Sequence, residues 1–498
     1  MTIFTRRNFL KSTVASAVVL GGIAVYWPRS GFAQPKDGMT NVLKIPPLET
    51  GRNEDGVQVY DLTMQNGTTE FFKGYQTPTS GINGSYLGPT LRVRNGAAIR
   101  FNITNDLGEP STLHWHGMHL PARMDGGPHQ VVQAGETWSP EFTIRQKAAS
   151  LWYHPHLMGK TSEHVWRGMA GMVIVEDAES DALPLPKTYG VDDVPLVLQD
   201  RSFTRDGRMD YNLSMHSRMV GLVGDIPFVN GTYAPYFEAT TTKLRLRILN
   251  GSNASTYNLE LNDGQTFTQI ATDGGFLEAP VELTLLQLAP AERAEIIVDL
   301  VAGKNVQLNN IAVSGSGGGM MRTNNNAPAF PFLEIRPAAT LTKSAELPSR
   351  LTTMEWLMEA DAVKTRVFNF EMRMGMGAMM GGDNSHTING KAMDITRIDE
   401  VVTLGDTEIW ELRNSSVMPH PFHMHDVQFQ ILDRDARPPA ANERGRKDVV
   451  MVNPDEVVRI IMRFEDYADA NAPFMYHCHI LEHEDAGMMG QFVVVQAT

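Results

Sequence analysis

The chain has 498 residues, one cysteine and a formal net charge of −14 at pH 7. A single cysteine excludes an internal disulfide, so stability must come from a packed core. The acidity disfavours nucleic acid and anionic membrane as partners.

The first element is a targeting segment over residues 1–33, which is set aside from the fold. Thr5-Arg6-Arg7-Asn8-Phe9-Leu10-Lys11 has the twin-arginine pattern. An apolar run from Val14 to Val25 follows, then the small-residue cleavage site Ser30-Gly31-Phe32-Ala33. The run is shorter than the ~20 residues that span a bilayer, so the mature form is expected to carry no membrane anchor. Twin-arginine export machinery is the implied partner and the periplasm the implied location. Cleavage removes four basic and no acidic residues, which takes the net charge to about −18. In an oxidising compartment a lone exposed thiol is a hazard that a metal-held thiolate removes.

The remainder is long enough for about three domains at roughly 150 residues each, and it repeats itself. Ile82-Asn83-Gly84, Val229-Asn230-Gly231 and Ile388-Asn389-Gly390 carry the same turn signal. Each leads to a strand-like alternation: Ala98 to Ile103, Leu244 to Leu249, Glu408 to Leu412. A later strand recurs at Trp138 to Ile144, Ala294 to Leu300 and Val457 to Met462. Short strands between Gly and Pro turns predict an all-β chain of three consecutive β-sandwich domains, over 34–178, 191–337 and 351–498. Pro-containing linkers fall near 178–190 and 338–350. The middle copy has Tyr257 and Asn258 where the others have histidines, so it reads as a spacer without metal ligands.

Histidines cluster in the outer copies: His114-Trp115-His116 and His154-Pro155-His156 in the first, His420, His423, His425 and then His477-Cys478-His479 in the last. Each HxH pair puts two imidazoles on one face of a strand. Eight such rings facing one another across a domain interface could hold three metal ions. In the last cluster Cys478 faces one way while His477 and His479 face the other. His483 follows at five residues and Met488 at ten. One thiolate, two imidazoles and a weak axial Met form the blue-copper set, with the second imidazole supplied from elsewhere. The tripeptide then links two copper sites covalently. The plain alternative is a zinc site or a buried thiol, but zinc needs no axial Met. His119, His129, His164, His216 and His386 are left over and read as structural or surface residues.

With these motifs in hand, the chain resembles the three-domain multicopper oxidases of laccase and periplasmic cuprous-oxidase type, over its whole mature length. The resemblance implies a cupredoxin-like fold in each domain and four coppers per chain. It implies His420, Cys478, His483 and Met488 for the type 1 copper, and His114 and His423 for type 2. For type 3 it implies His116, His154 and His479 on one copper and His156, His425 and His477 on the other. Asp125 and Glu484 match the family's proton-delivering acids. The implied reaction takes electrons singly from Cu(I) or small phenolic or aromatic amine donors and reduces dioxygen to water. The implied setting is a monomer serving copper tolerance.

Methionines concentrate near the last domain: Met320, Met321, Met354, Met358, then Met372, Met374, Met376, Met379 and Met380. Thioethers are soft ligands suited to Cu(I). Met354, Glu359 and Met418 resemble the family's substrate-copper residues. Ser416 stands where the family has an Asp, which leaves the site more open to organic donors. The rival readings are a laccase or bilirubin-oxidase-like enzyme for organic donors, and a non-catalytic copper-binding protein.

Overall fold

The computed structural model describes residues 38–312, 327–372 and 385–497. The leader at 1–33 lies outside them, as do Met320, Met321, Met374, Met376, Met379 and Met380. Among the described residues no helix is long and apolar enough to cross a membrane.

The described chain is built from six sheets, two to each third. The expected alternation is clearest at Ala98–Asp106, where fully and partly buried residues take turns. Lys243–Asn250 departs from it and is buried on both faces. The reason is charge pairing: Arg245 Nε donates to Glu295 Oε2 at 2.8 Å and Arg247 Nε to Asp193 Oδ1 at 2.7 Å. The expected strand from Trp138 to Ile144 is split into Thr137–Trp138 and Glu141–Thr143, because Pro140 has no N–H for the ladder.

The threefold repeat is visible in the pairing. Val57–Thr69 runs parallel to Ala98–Asp106, Asp193–Arg201 to Lys243–Asn250, and Ala362–Met372 to Thr407–Asn414. In the facing sheets Thr90–Arg94 runs parallel to Gly171–Glu176, Pro235–Thr241 to Phe330–Thr342, and Glu400–Thr403 to Met489–Val495. Parallel neighbours cannot be joined by a hairpin, so the chain crosses between facing sheets in each copy. Asn83, Asn230 and Asn389 share φ values of 54°, 51° and 52°, a left-handed backbone that Asn tolerates better than most residues.

Two strands lie across the expected divisions. Asn41–Val42 pairs with Pro235–Tyr236 and so extends a sheet of the middle third, covering an otherwise open edge. The strand Phe330–Thr342 runs beyond 337.

The middle third has its own core around Leu246, Ile248, Ile296 and Leu333. The outer thirds share one apolar cluster that includes Trp115, Leu151, Phe422, Cys478 and Met488. That shared core brings the histidine-bearing sheets of residues 114–156 and 420–479 together.

Candidate metal centre

Two short strands face each other across this junction. His114–His116 is an edge strand, paired antiparallel with Ala149–His154 so that His114 lies opposite His154. Trp115 points the other way, into the core, and stacks on Phe101 with ring centroids 3.8 Å apart. Burying a side chain of that size stabilises by roughly 2–3 kcal/mol, which fixes the opposite, imidazole-bearing face. In the last third His420–Met424 pairs with Phe474–Cys478, setting His423 opposite His477 and Phe422 opposite Cys478. Across the junction His114 stacks on His425 at 3.9 Å and His116 on His423 at 3.7 Å.

Most of these imidazoles give one N–H to the protein and turn the other nitrogen inward. His114 Nδ1 donates to the Asp125 carbonyl at 3.0 Å, His154 Nδ1 to the Pro155 carbonyl at 2.8 Å and His423 Nδ1 to the Asp448 carbonyl at 2.8 Å. His116 Nε2 donates to Asp448 Oδ1 at 3.1 Å, and His425 Nδ1 to Asp125 Oδ2 at 2.7 Å. The remaining nitrogens of His114, His116, His154 and His423, and both of His479, have no hydrogen-bond partner among the described residues. His477 Nε2 lies 3.2 Å from His156 Nε2 and 3.3 Å from His425 Nε2. A buried unpaired nitrogen costs about 1–3 kcal/mol, so this pocket is expensive unless something shares the lone pairs. Burial first, then neighbouring imidazoles, hold His116, His154, His156, His423 and His477 well below the ordinary histidine range. Burial lowers His425 to about 4 and His479 to about 3. Neutral imidazole is the metal-binding form.

The sulfur sits on the other side of the same strand. Cys478 Sγ is 3.4 Å from His420 Nδ1 and 3.7 Å from His483 Nδ1. His420 Nε2 is hydrogen-bonded to Ser416 Oγ at 2.7 Å. His483 Nε2 donates to the Met219 carbonyl at 3.0 Å, a group from the middle third's helix Met215–Val220. Met488 is fully buried, and its carbonyl accepts the Cys478 N–H at 3.0 Å. Burial pushes the Cys478 thiol up; a cation at the sulfur reverses this. His420, Cys478 and His483 thus form one ligand-like group, and His156, His425 and His477 another.

Both expected acids face the imidazoles. Asp125 Oδ1 is 3.3 Å from His114 Nδ1. Burial works to raise its carboxyl, but His425 and His114 outweigh that and hold it well below the carboxylate range. Glu484 reaches His156 Nδ1 at 3.1 Å and His477 Nδ1 at 3.3 Å, one oxygen to each. Burial, with Asp485 adding, pushes Glu484 well above the usual range.

Family models for multicopper oxidase match residues 63–180, 195–329 and 367–498. The chain is 34% identical over 453 residues to a multicopper oxidase of Staphylococcus aureus, covering 90% of this chain and 91% of that one. This chain belongs to the multicopper oxidase family. It is also 34% identical over 500 residues to the cell division protein FtsP of Yersinia pestis, covering 99% of each. Among solved structures, a laccase-like multicopper oxidase from Ochrobactrum, described as active on lignin model compounds and lignosulfonate, superposes with a TM-score of 0.83. It is 38% identical, covering 91% of this chain and all of that one.

Membership makes the chain an oxidase with copper cofactors in cupredoxin-like domains. The donor set fits copper: buried neutral imidazoles with unshared nitrogens, and one buried sulfur beside two more imidazoles.

The structure gives Met354, Glu359 and Met418 separate immediate surroundings. Met354 lines a cleft with Lys147, Phe276 and Arg446. Glu359 is exposed and forms an ion pair with Arg459 at 2.5 Å. Met418 is buried in the shared core. The segment holding Met354 and Glu359 packs along Gln430, which bonds the Glu355 carbonyl and the Leu357 N–H. Met372 and His386 pair across two strands, and the buried His386 ring lies 4.4 Å from that of His483. His386 is therefore no surface residue. Of the other leftover histidines, His119 bonds Asp466, His129 bonds Gln491 and His164 bonds Ser111, while His216 is exposed. Asp448 and the Met219 carbonyl escaped the sequence reading. A carbonyl has no sequence signature, and Asp448 follows Lys447 as an ordinary strand-edge acid.

Proposed function

We propose that this oxidase takes single electrons from Cu(I) or from phenolic or aromatic amine donors beside Cys478, and reduces dioxygen to water between its first and last thirds. The observation that carries the reading is the convergence of buried, unshared imidazole nitrogens from 114–156 and 420–479, joined by a three-residue peptide to a sulfur with its own two imidazoles. His420, Cys478, His483 and Met488 would hold the type 1 copper, and His114 with His423 the type 2. His116, His154 and His479 would hold one type 3 copper and His156, His425 and His477 the other. Bound there, copper supplies one-electron redox chemistry at the sulfur and a multi-electron reservoir for dioxygen.

The chain's own residues do the rest. The backbone from Cys478 to His477 and to His479 gives a short covalent path between the two groups. Glu484 holds a proton within reach of the pocket imidazoles, and Asp125, ionised and bonded to His425, would accept and pass one on, as water formation requires. Buried apolar walls exclude water from the sulfur. Three domains over 34–178, 191–337 and 351–498, twin-arginine export, a periplasmic monomer and a role in copper tolerance complete the proposal. The laccase-like relative's described activity on lignin compounds supports organic donors as much as Cu(I).

The test is copper content with an absorption spectrum on the purified chain. About four coppers and an intense thiolate-to-copper band are expected; colourless protein holding zinc rejects the reading. Oxygen uptake with Cu(I) and with a phenol, with and without residues 371–380, then separates the donors. Unchanged Cu(I) turnover after deletion excludes the Met segment as a donor site. The division-protein relatives support a second, non-catalytic reading, which full copper loading without oxygen uptake would favour.

A further inference from the structure

The middle third contributes none of the pocket's histidines, yet one of its side chains reaches the pocket wall. Arg293 is fully buried. Its Nη1 donates to Asp448 Oδ1 and its Nη2 to Asp448 Oδ2, each at 2.6 Å. Its other N–H groups are also spent: Nε on the Ser150 carbonyl at 3.0 Å, Nη1 on the Ala291 carbonyl at 3.1 Å, Nη2 on the Asp273 carbonyl at 3.0 Å. A planar fork closed on a carboxylate in this way has little rotational freedom. Ser150 belongs to the first third and Asp448 to the last, so a single guanidinium ties all three together.

Asp448 in turn holds two imidazoles. Its Oδ1 accepts from His116 Nε2 at 3.1 Å and its carbonyl from His423 Nδ1 at 2.8 Å. These two rings are stacked at 3.7 Å with planes 10° apart, and their other nitrogens, His116 Nδ1 and His423 Nε2, are the unshared ones. The backbone beside them is pressed close. Gly117 has φ 84°, and a Cβ there would sit 2.6 Å from Asp448 Oδ2 and 2.8 Å from Arg293 Nη2.

We propose that Arg293 is a positioning residue for the dioxygen-reducing pocket: by fixing Asp448 it sets which nitrogen of His116 and of His423 faces inward. Asp448 groups with His116 and His423 as a possible metal ligand, but the guanidinium engages both its oxygens, so it acts as the bracket for the two rings. The inference rests on the proposed copper assignment. Rings that lose this bracket can flip or tilt, and outer partners of metal-binding histidines are worth about 10–100-fold in metal affinity.

The experiment compares full-length wild type with Arg293→Met, Arg293→Lys and Asp448→Asn, each reconstituted with copper. Copper per chain, the thiolate-to-copper band and the copper paramagnetic resonance are measured. Arg293→Met and Asp448→Asn are expected to keep the full band while losing pocket copper about 10–100-fold more readily to a chelator, with an altered resonance of the pocket copper. Arg293→Lys, which keeps the charge and loses the fork, should fall between. A variant that retains wild-type chelator resistance and resonance overturns the inference. So does loss of the band in step with pocket copper, since that marks general unfolding. If wild type itself binds no pocket copper, the copper assignment fails instead, and the variants need not be read.

Discussion

At the scale of single residues the metal centre depends on which atoms face inward. Cys478→Ser removes the only thiol, so the thiolate band is expected to vanish and copper to drop to about three per chain, the pocket ions remaining; a spectrum with copper analysis checks both. Glu484→Gln keeps the shape but not the ionisable proton, so copper content should stay full while oxygen uptake falls roughly 10²-fold or more. His164 gives a pH prediction away from the centre. Burial lowers it to about 4, so the unfolded chain binds a proton there more readily than the folded one. Its contribution is fully present above the unfolded value of about 6.5 and is lost as pH falls towards 4. His164→Gln should make the unfolding midpoint of copper-free protein fall less steeply with pH across that range, read by thermal melts from pH 4 to 7 against wild type. The sequence exposed the histidine pairs and Cys478 because period-two spacing fixes their faces. It hid Ser416, read as a departure from the family pattern although it bonds His420 Nε2 at 2.7 Å. It also hid His386, because strand spacing says nothing of which ring another strand brings against it.

At the scale of elements, the short strands work because their backs are anchored. Trp115 holds the His114–His116 strand by its far face, and the loop after it is held by Gly126. That glycine has φ 75°, and an added Cβ would collide with the Leu113 carbonyl. Gly126→Ala is therefore expected to destabilise by about 2 kcal/mol or more and to loosen the neighbouring Asp125 from His114. A lowered melting temperature together with weaker copper retention tests this; a variant as stable as wild type would contradict it. The strands of the repeat were readable because each copy carries the same turn and alternation. Where they were misjudged, a local cause is visible, as at Pro140. The inclusion of Asn41–Val42 in a middle-third sheet was unreadable, since nothing in two exposed residues names a partner some 190 positions away.

At the scale of the whole molecule, the middle third is more than a spacer. Arg245 and Arg247 close on Glu295 and Asp193, with Arg247 Nη1 also bonding Ser150 Oγ of the first third at 3.1 Å. Removing one partner of such a buried group leaves uncompensated charge, so Glu295→Gln should cost about 3–5 kcal/mol, measurable by denaturant unfolding of copper-free protein. A loss within error of zero would show that the cluster is relaxed by solvent. The shared core of the outer thirds has one further consequence. Its two halves lie some 300 positions apart along the chain, so no partial product of synthesis contains a finished cage. The histidines from His477 to His483 close it, so a nascent chain is expected to hold metal poorly until they emerge. A nascent or C-terminally clipped chain should therefore compete poorly for copper, however much of it has already folded.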